Sequence, residues 1–367
     1  MVSTVVASGT FVVPIIDPED LTYAQFCTQF FRPNKPCILR GAAKGWEAWT
    51  KWRHKDGSIN KHYLMELFQE SVSVPVVEMA GDMPYGVSTP RNMSFKDFVQ
   101  NHLSVEPGST LSSSSKYYLK DWHYAKEYAT KLAYKTPAFF VDDWLNRWWD
   151  EGRKQGGDDS DFKFLYLGGA GTFTSLHHDV FRSNSWSASI SGRKRWIIYH
   201  PLEEPNLKDS FEQFAPTGQW GSMTQSQRAS WPRVEAVKSY VDLVQQPGDI
   251  IFIPSGYYHE VYNLDECLSI NHNWFNIYQL KQVSQFMRKE WYQTKQAIID
   301  LVDMMPDAEF MQEVQKLMKR NTGMSLSEFE HLVHFNKTYC DEESNEDIAL
   351  VLRDVRRLQE EEARWVS

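Results

Sequence analysis

Residues 247–259 read Pro-Gly-Asp-Ile-Ile-Phe-Ile-Pro-Ser-Gly-Tyr-Tyr-His. A Pro-Gly-Asp turn opens onto four consecutive apolar residues, Ile250 to Ile253, and Pro254-Ser255-Gly256 turns the chain again. So short an apolar run between two turns is a buried strand, and His259 opens the next one. The same pattern continues outward on both sides. Strands are expected at 162–167, 174–180, 184–190, 194–199, 239–244, 249–253, 258–263 and 267–274. Ser191-Gly192 is a further turn between them. About eight short strands separated by turns describe a jelly roll or β-sandwich. Residues 202–238 interrupt the series, and an insertion of that length is functional or disordered rather than idle.

The flanks differ from this core. Asp17-Pro18-Glu19-Asp20 supplies an N-cap, a proline and first-turn acid for a helix reaching about Phe31. Cys37-Ile38-Leu39 and Val72 to Met79 read as strands, Leu64 to Phe68 and the stretch after Ser94 as short helices. Residues 105–115 and Gly152 to Asp161 read as polar loops, and 123–150 as helical and Trp-rich. From about Gln279 the periodicity becomes helical, with Val283, Phe286, Met287 and Trp291 on one stripe. Ser325-x-x-Glu328 is a capping box. The fold class is therefore α+β. An N-terminal mixed segment (1–115) would pack on a jelly-roll catalytic domain (116–278), followed by a helical region (279–367) able to cap the barrel or form a homodimer.

Bulk properties exclude several functions. The 367 residues carry a formal net charge of −9 with no basic run, so direct nucleic-acid binding is not expected. No apolar run is long enough for a membrane span. The N-terminus lacks the basic and apolar regions of a signal peptide. Cys27, Cys37, Cys267 and Cys340 form no zinc or CxxC pattern. A reducing compartment follows, cytoplasmic or nuclear.

The chemistry is carried by Thr174-Ser-Leu-His-His-Asp179. On a strand, residues two apart share a face, so His177 and Asp179 point together and His178 points away. With His259 on a neighbouring strand they make two histidines and a carboxylate, the ligand set of non-haem Fe(II) oxygenases. A 2-oxo acid and dioxygen would fill the remaining iron positions, and the acid's distal carboxylate needs a cation. In Gly192-Arg-Lys-Arg-Trp196, parity sets Lys194 with Trp196 and Ile198, and turns Arg193 and Arg195 the other way. An inward lysine requires an anionic partner.

These residues carry a resemblance. His177-x-Asp179, Gly192-Arg-Lys194-Arg-Trp, Pro247-Gly-Asp and Pro254-Ser-Gly-Tyr-Tyr-His259 are similar to the motifs of the JmjC-domain Fe(II)/2-oxoglutarate oxygenases. The segments Asn34 to Gly41, Tyr118 to His123, Asp179 to Trp186 and Ser269 to Trp274 narrow it to protein hydroxylases within that family. The resemblance implies a double-stranded β-helix, the cupin-like form of the jelly roll. It implies Fe(II) on His177, Asp179 and His259, and Lys194 against the distal carboxylate of 2-oxoglutarate. It also places Tyr118, Thr174, Asn271 and Asn273 near the co-substrate. Tyr117 or Trp122 could take the place of Tyr118, since an aromatic strand has two faces. Related hydroxylases often carry Asn where this chain has Ser187. Arg182, Ser185 and Trp186 follow the metal Asp closely and are either substrate contacts or packing. The implied reaction is carbon hydroxylation of an exposed lysine on a protein, the eukaryotic translation release factor. The rivals are a histone N-methyl-lysine demethylase and a non-catalytic jelly-roll binding module.

Overall fold

The computed structural model describes residues 3–4, 11–69, 72–80, 89–103, 115–152, 161–340 and 345–360. The loops expected over 105–115 and 152–161 fall, apart from their end residues, outside these ranges, as do residues 5–10 and 361–367.

The described strands are β1 (Ser3–Thr4), β2 (Pro14–Ile16), β3 (Cys37–Leu39), β4 (Ser73–Ala80), β5 (Thr89–Ser94), β6 (Ser115–Trp122) and β7 (Lys163–Gly168). They continue as β8 (Phe173–His177), β9 (Asn184–Ser191), β10 (Lys194–Tyr199), β11 (Tyr240–Gln245), β12 (Ile250–Ile253), β13 (Tyr258–Asn263) and β14 (Cys267–Trp274). Ten form a sheet in the order β1-β2-β3-β12-β9-β14-β7-β6-β4-β5, and four a second sheet, β11-β10-β13-β8. All eight strands expected between 162 and 274 are present. From β7 to β14 the chain passes back and forth between the two sheets, except that β10 and β11 are paired neighbours in the four-stranded one, and this is the winding of a double-stranded β-helix. The opening stretch is β12, buried along its whole length between β3 and β9. Residues from both sheets (Ile38, Ile251 and Ile253; Trp196, Ile198, Val241 and Val261) share one interior cluster. The tight β9–β10 turn needs glycine: Gly192 has φ +77°, and a Cβ there would lie 2.4 Å from the Glu266 carbonyl oxygen.

Two helical expectations change. The helix from Asp17 breaks after one turn, because Leu21 is extended and Thr22 caps a second helix with Gln25 in a capping box. Residues 123–150 form separate short turns, divided by a non-helical stretch that ends at Pro137. The 202–238 insertion is ordered. Leu207, Ala215, Met223 and Val234 pack with Leu176, Ile197, Tyr199 and Tyr258 of the four-stranded sheet.

The chain divides into two compact units. One comprises Met1–Val141, Phe162–His178 and Ser185–His272; the other comprises Asp142–Asp161, Asp179–Asn184 and Asn273–Ser367. The second unit contains helices Leu280–Ala297, Asp307–Thr322, Leu326–Lys337 and Asn345–Glu360. The expected stripe buries Val283, Met287 and Trp291, and Ser325 and Glu328 form the expected capping box. No helix among the described residues is long and apolar enough to cross a membrane.

Candidate active site

His177 of β8 lies directly opposite His259 of β13. Opposed residues of an antiparallel pair share a face, and the two rings sit 4.2 Å apart between centroids. One donor atom from each of His177, Asp179 and His259 falls within 4.8 Å of the others. Strand β8 ends at His177, three residues earlier than expected. Asp179 therefore lies past the strand, in extended backbone (φ −66°, ψ 157°) leading into the turn Val180–Arg182. Phe181 and Arg182 take φ values of +55° and +54°. Two successive bulky residues in the left-handed region cost on the order of 1–3 kcal/mol each, and this strain directly follows the carboxylate.

The histidines are prepared as neutral donors. Nδ1 of His177 lies 2.8 Å from the Ser175 carbonyl oxygen, and Nδ1 of His259 lies 3.4 Å from that of Tyr257. A carbonyl only accepts, so the proton belongs on Nδ1 and the lone pair on Nε2. Burial pushes His259 down to about 4, which keeps it neutral at physiological pH. Two neutral imidazoles and one carboxylate fit Fe(II) and leave positions open for a bidentate co-substrate. His178 turns away, as parity requires, and meets Phe214 and Tyr258 edge-on.

A β-bulge brings Thr174 to the same side as His177. Thr174 pairs with Val261 while His177 pairs with His259, so three residues of β8 span two of β13. Without the bulge, an odd separation would place the two on opposite faces. On β10, Lys194, Trp196 and Ile198 pair with Asn263, Val261 and His259. One face of this sheet thus carries both histidines at one end and Lys194 at the other.

Three consecutive basic residues have different fates. Arg193 binds Asp265 through two nitrogens at 2.8 and 2.9 Å, and Arg195 forks onto Asp242. Lys194 is 2% exposed. Burial pulls it down to about 8, and the only opposing influence among the described residues is the Cys267 thiol. Its ammonium lies 5.9 Å from the Tyr166 ring centroid. Tyr118 is buried with its ring 6.0 Å from the same Tyr166 ring, its hydroxyl is engaged with Asn263 and Thr174, and burial raises its phenol well above the ordinary value. Tyr117 instead meets His102, and Trp122 packs among Phe68, Phe95 and Tyr124. Tyr118 is therefore the one of the three aromatics whose hydroxyl reaches Thr174.

Asn271 and Asn273 share a face of β14, and His272 is opposite, stacked on Trp186 at 4.2 Å. Asn273 is buried, with its Nδ2 unpartnered. For Trp186 the packing alternative holds. It is fully buried, packed between Phe140 and His272 on the face of β9 that points away from Ser185 and Ser187, so it is core rather than a substrate contact. Ser185 pairs with Ile253 and faces the interior; Arg182 is half-buried in the strained turn. Ser187, passed over as a departure, donates to Asn271 Oδ1 at 3.1 Å. Strand parity with Ser185 was the signal that could have placed it. Glu260 was also missed. It is fully buried on the opposite face to His259, and accepts from Tyr199, Thr217, Tyr262 and the Gly218 amide.

Comparison with known proteins agrees with this geometry. The family described as "Cupin-like domain" matches residues 23–280. The 2-oxoglutarate and iron-dependent oxygenase JMJD4 of Danio rerio is 35% identical over 85% of this chain and 71% of its own length. That of Gallus gallus is 34% identical over 88% and 75%. Arginine-specific demethylase JMJ20 of Arabidopsis thaliana is 33% identical over 86% and 68%. The chain is an enzyme that depends on iron and 2-oxoglutarate, and it belongs to the cupin-like, JmjC-type family of 2-oxoglutarate- and iron-dependent oxygenases.

Proposed function

We propose that this oxygenase hydroxylates a carbon of an exposed lysine on a protein substrate, and that the substrate is the eukaryotic translation release factor. What supports the reading is the resemblance of Tyr118 to His123, Asp179 to Trp186 and Ser269 to Trp274 to protein lysyl hydroxylases of this family. The site would work as follows. His177, Asp179 and His259 hold Fe(II). Lys194 pairs with the distal carboxylate of 2-oxoglutarate, and the Tyr118 and Thr174 hydroxyls donate to it. Asn271, fixed by Ser187, and Asn273 supply amide donors on the β14 side. Arg182 and Ser185 face incoming substrate. Bound iron and 2-oxoglutarate supply the oxidising chemistry: dioxygen is consumed, 2-oxoglutarate becomes succinate and CO2, and one oxygen atom enters a substrate C–H bond. The protein contributes orientation and a water-poor interior. An acidic chain in a cytoplasmic or nuclear setting suits a basic target.

The likeness to an arginine-specific demethylase supports a second reading, oxidation of an N-methyl group on arginine. The two differ in product. Incubation with Fe(II), 2-oxoglutarate and either the release factor or a methylarginine histone, followed by mass spectrometry, separates them. Lysyl hydroxylation adds one oxygen to the release factor. Demethylation removes a methyl group and releases formaldehyde, and that result alone would overturn the lysyl reading.

A further inference from the structure

Among the described residues, the two most exposed large apolar side chains, Leu202 and Phe211 at 80% each, both lie in the 202–238 insertion. Phe211 sits at the tip of a short hairpin closed by a bridge between Lys208 and Phe214. The surrounding backbone is fixed from several directions. Asp209 Oδ1 accepts from the amides of Phe211 and Gln213 at 2.8 and 2.9 Å. Arg233 Nη2 donates to the carbonyls of Lys208 and Asp209, both at 2.7 Å, and Trp231 Nε1 donates to that of Gln213 at 3.0 Å. Glu212, beside the tip, takes φ +62°, a conformation that costs a non-glycine residue energy. Lys208 is buried beneath, held by Glu204 and Glu212 and lying over the Phe214 ring. So much fixation around one solvent-facing phenyl ring is not needed to close a loop. A rigid aromatic presented to water is a docking anchor, because little conformational entropy remains to be lost on binding.

Its location and charge identify the partner. Phe214, at the root of the hairpin, packs against His178 and Tyr258, each the sequence neighbour of a proposed iron ligand. The hairpin therefore stands at the histidine end of the four-stranded sheet. Residues 204–212 carry Glu204, Asp209 and Glu212 against a single Lys208. We infer that the 208–214 hairpin docks the protein substrate, with Phe211 entering an apolar recess flanked by lysine or arginine. The inference rests on the protein-substrate reading above and extends it to a contact outside the reaction chamber.

The test is steady-state kinetics of the full chain carrying Phe211→Ser, and separately Glu212→Lys, on intact release factor and on intact methylarginine histone. A short peptide around the modified residue serves as control. Whichever protein the wild type modifies, both variants should raise its KM at least tenfold. The kcat should stay within twofold, and the KM for 2-oxoglutarate and turnover of the short peptide should be unchanged; Phe211→Ser should keep the wild-type melting temperature, whereas Glu212→Lys should lower it, since it removes one partner of the buried Lys208. An unchanged KM for the intact protein overturns docking alone. An equal loss on peptide and protein also overturns it, since the effect would then lie in the site. A wild type inert on both proteins overturns the substrate reading and the docking claim with it.

Discussion

Two buried charges stand on opposite faces of the same sheet. Glu260, on the outer face of β13, is fully buried and receives hydrogen bonds from Tyr199, Thr217, Tyr262 and Gly218. Lys194, on the inner face of β10, is 2% exposed and has no carboxylate partner among the described residues. A charge that the protein itself satisfies is architecture; here it fastens residues 217–218 of the insertion to the barrel. A charge left unsatisfied at such a burial cost is kept for something that arrives. The inner face should therefore govern chemistry and ligand binding, and the outer face stability.

The largest effect expected from the inner face is at the metal. His259→Ala removes a ligand outright. Metal affinity and succinate formation should each fall by more than the roughly 10–100-fold that loss of an outer-shell partner costs. Mn(II) titration followed by electron paramagnetic resonance reads the first, independently of turnover. Wild-type-like Mn(II) binding would remove His259 from the ligand set.

On the outer face, Glu260→Leu strands several buried donors at once. A loss of roughly 3 kcal/mol or more is expected in denaturant unfolding. The KM for 2-oxoglutarate should change less than twofold in whatever fraction remains folded. A stable variant with a raised KM would reverse the assignment of the two faces.

Lys194→Met should do the opposite. A hydrogen-bonded ion pair contributes about 1.5–3 kcal/mol, so 2-oxoglutarate affinity should drop by roughly 10–150-fold. Ligand-free stability should hold or rise, because an uncompensated buried ammonium is gone. The pH dependence has a definite sign. Lys194 titrates near 8 in the folded chain, below its ordinary 10.5. Between those values the unfolded chain binds more protons, so ligand-free stability should increase as pH rises through that window. At neutral pH the buried charge costs on the order of 3 kcal/mol. The rise in melting temperature produced by 2-oxoglutarate should shrink above pH 8, and a shift independent of pH would exclude Lys194 as its anchor.

The contrast also shows what sequence can carry. Period-two alternation between turns located all eight core strands, and parity separated His177 from His178 and Lys194 from its two arginine neighbours. Each of those inferences needs only local spacing. The bulge that brings Thr174 beside His177 was not legible, since it exists only in the pairing of β8 with β13. The strained turn at Phe181 and Arg182 was hidden for the same reason: neither residue type signals a left-handed backbone. Trp186 was left open between contact and packing because proximity in sequence to Asp179 says nothing about which face of β9 it takes. Glu260 looked like one more acid in an acidic chain, and apart from Tyr262 its partners lie about 40 or more residues away.

The smallest effect tests how far the co-substrate pocket extends from Lys194. Tyr118→Phe removes one hydroxyl but keeps the ring that packs against Gly168. The hydroxyl links Thr174 and Asn263, so its loss should cost 2-oxoglutarate binding about 1 kcal/mol, or roughly fivefold in KM. Combining it with Lys194→Met distinguishes two arrangements. If both groups bind the same carboxylate, the double variant should fall short of the product of the single effects, because neighbouring contacts to one group are not additive. Strict additivity would mean that the Tyr118 hydroxyl acts only through Thr174 and Asn263, and that Lys194 alone meets the carboxylate.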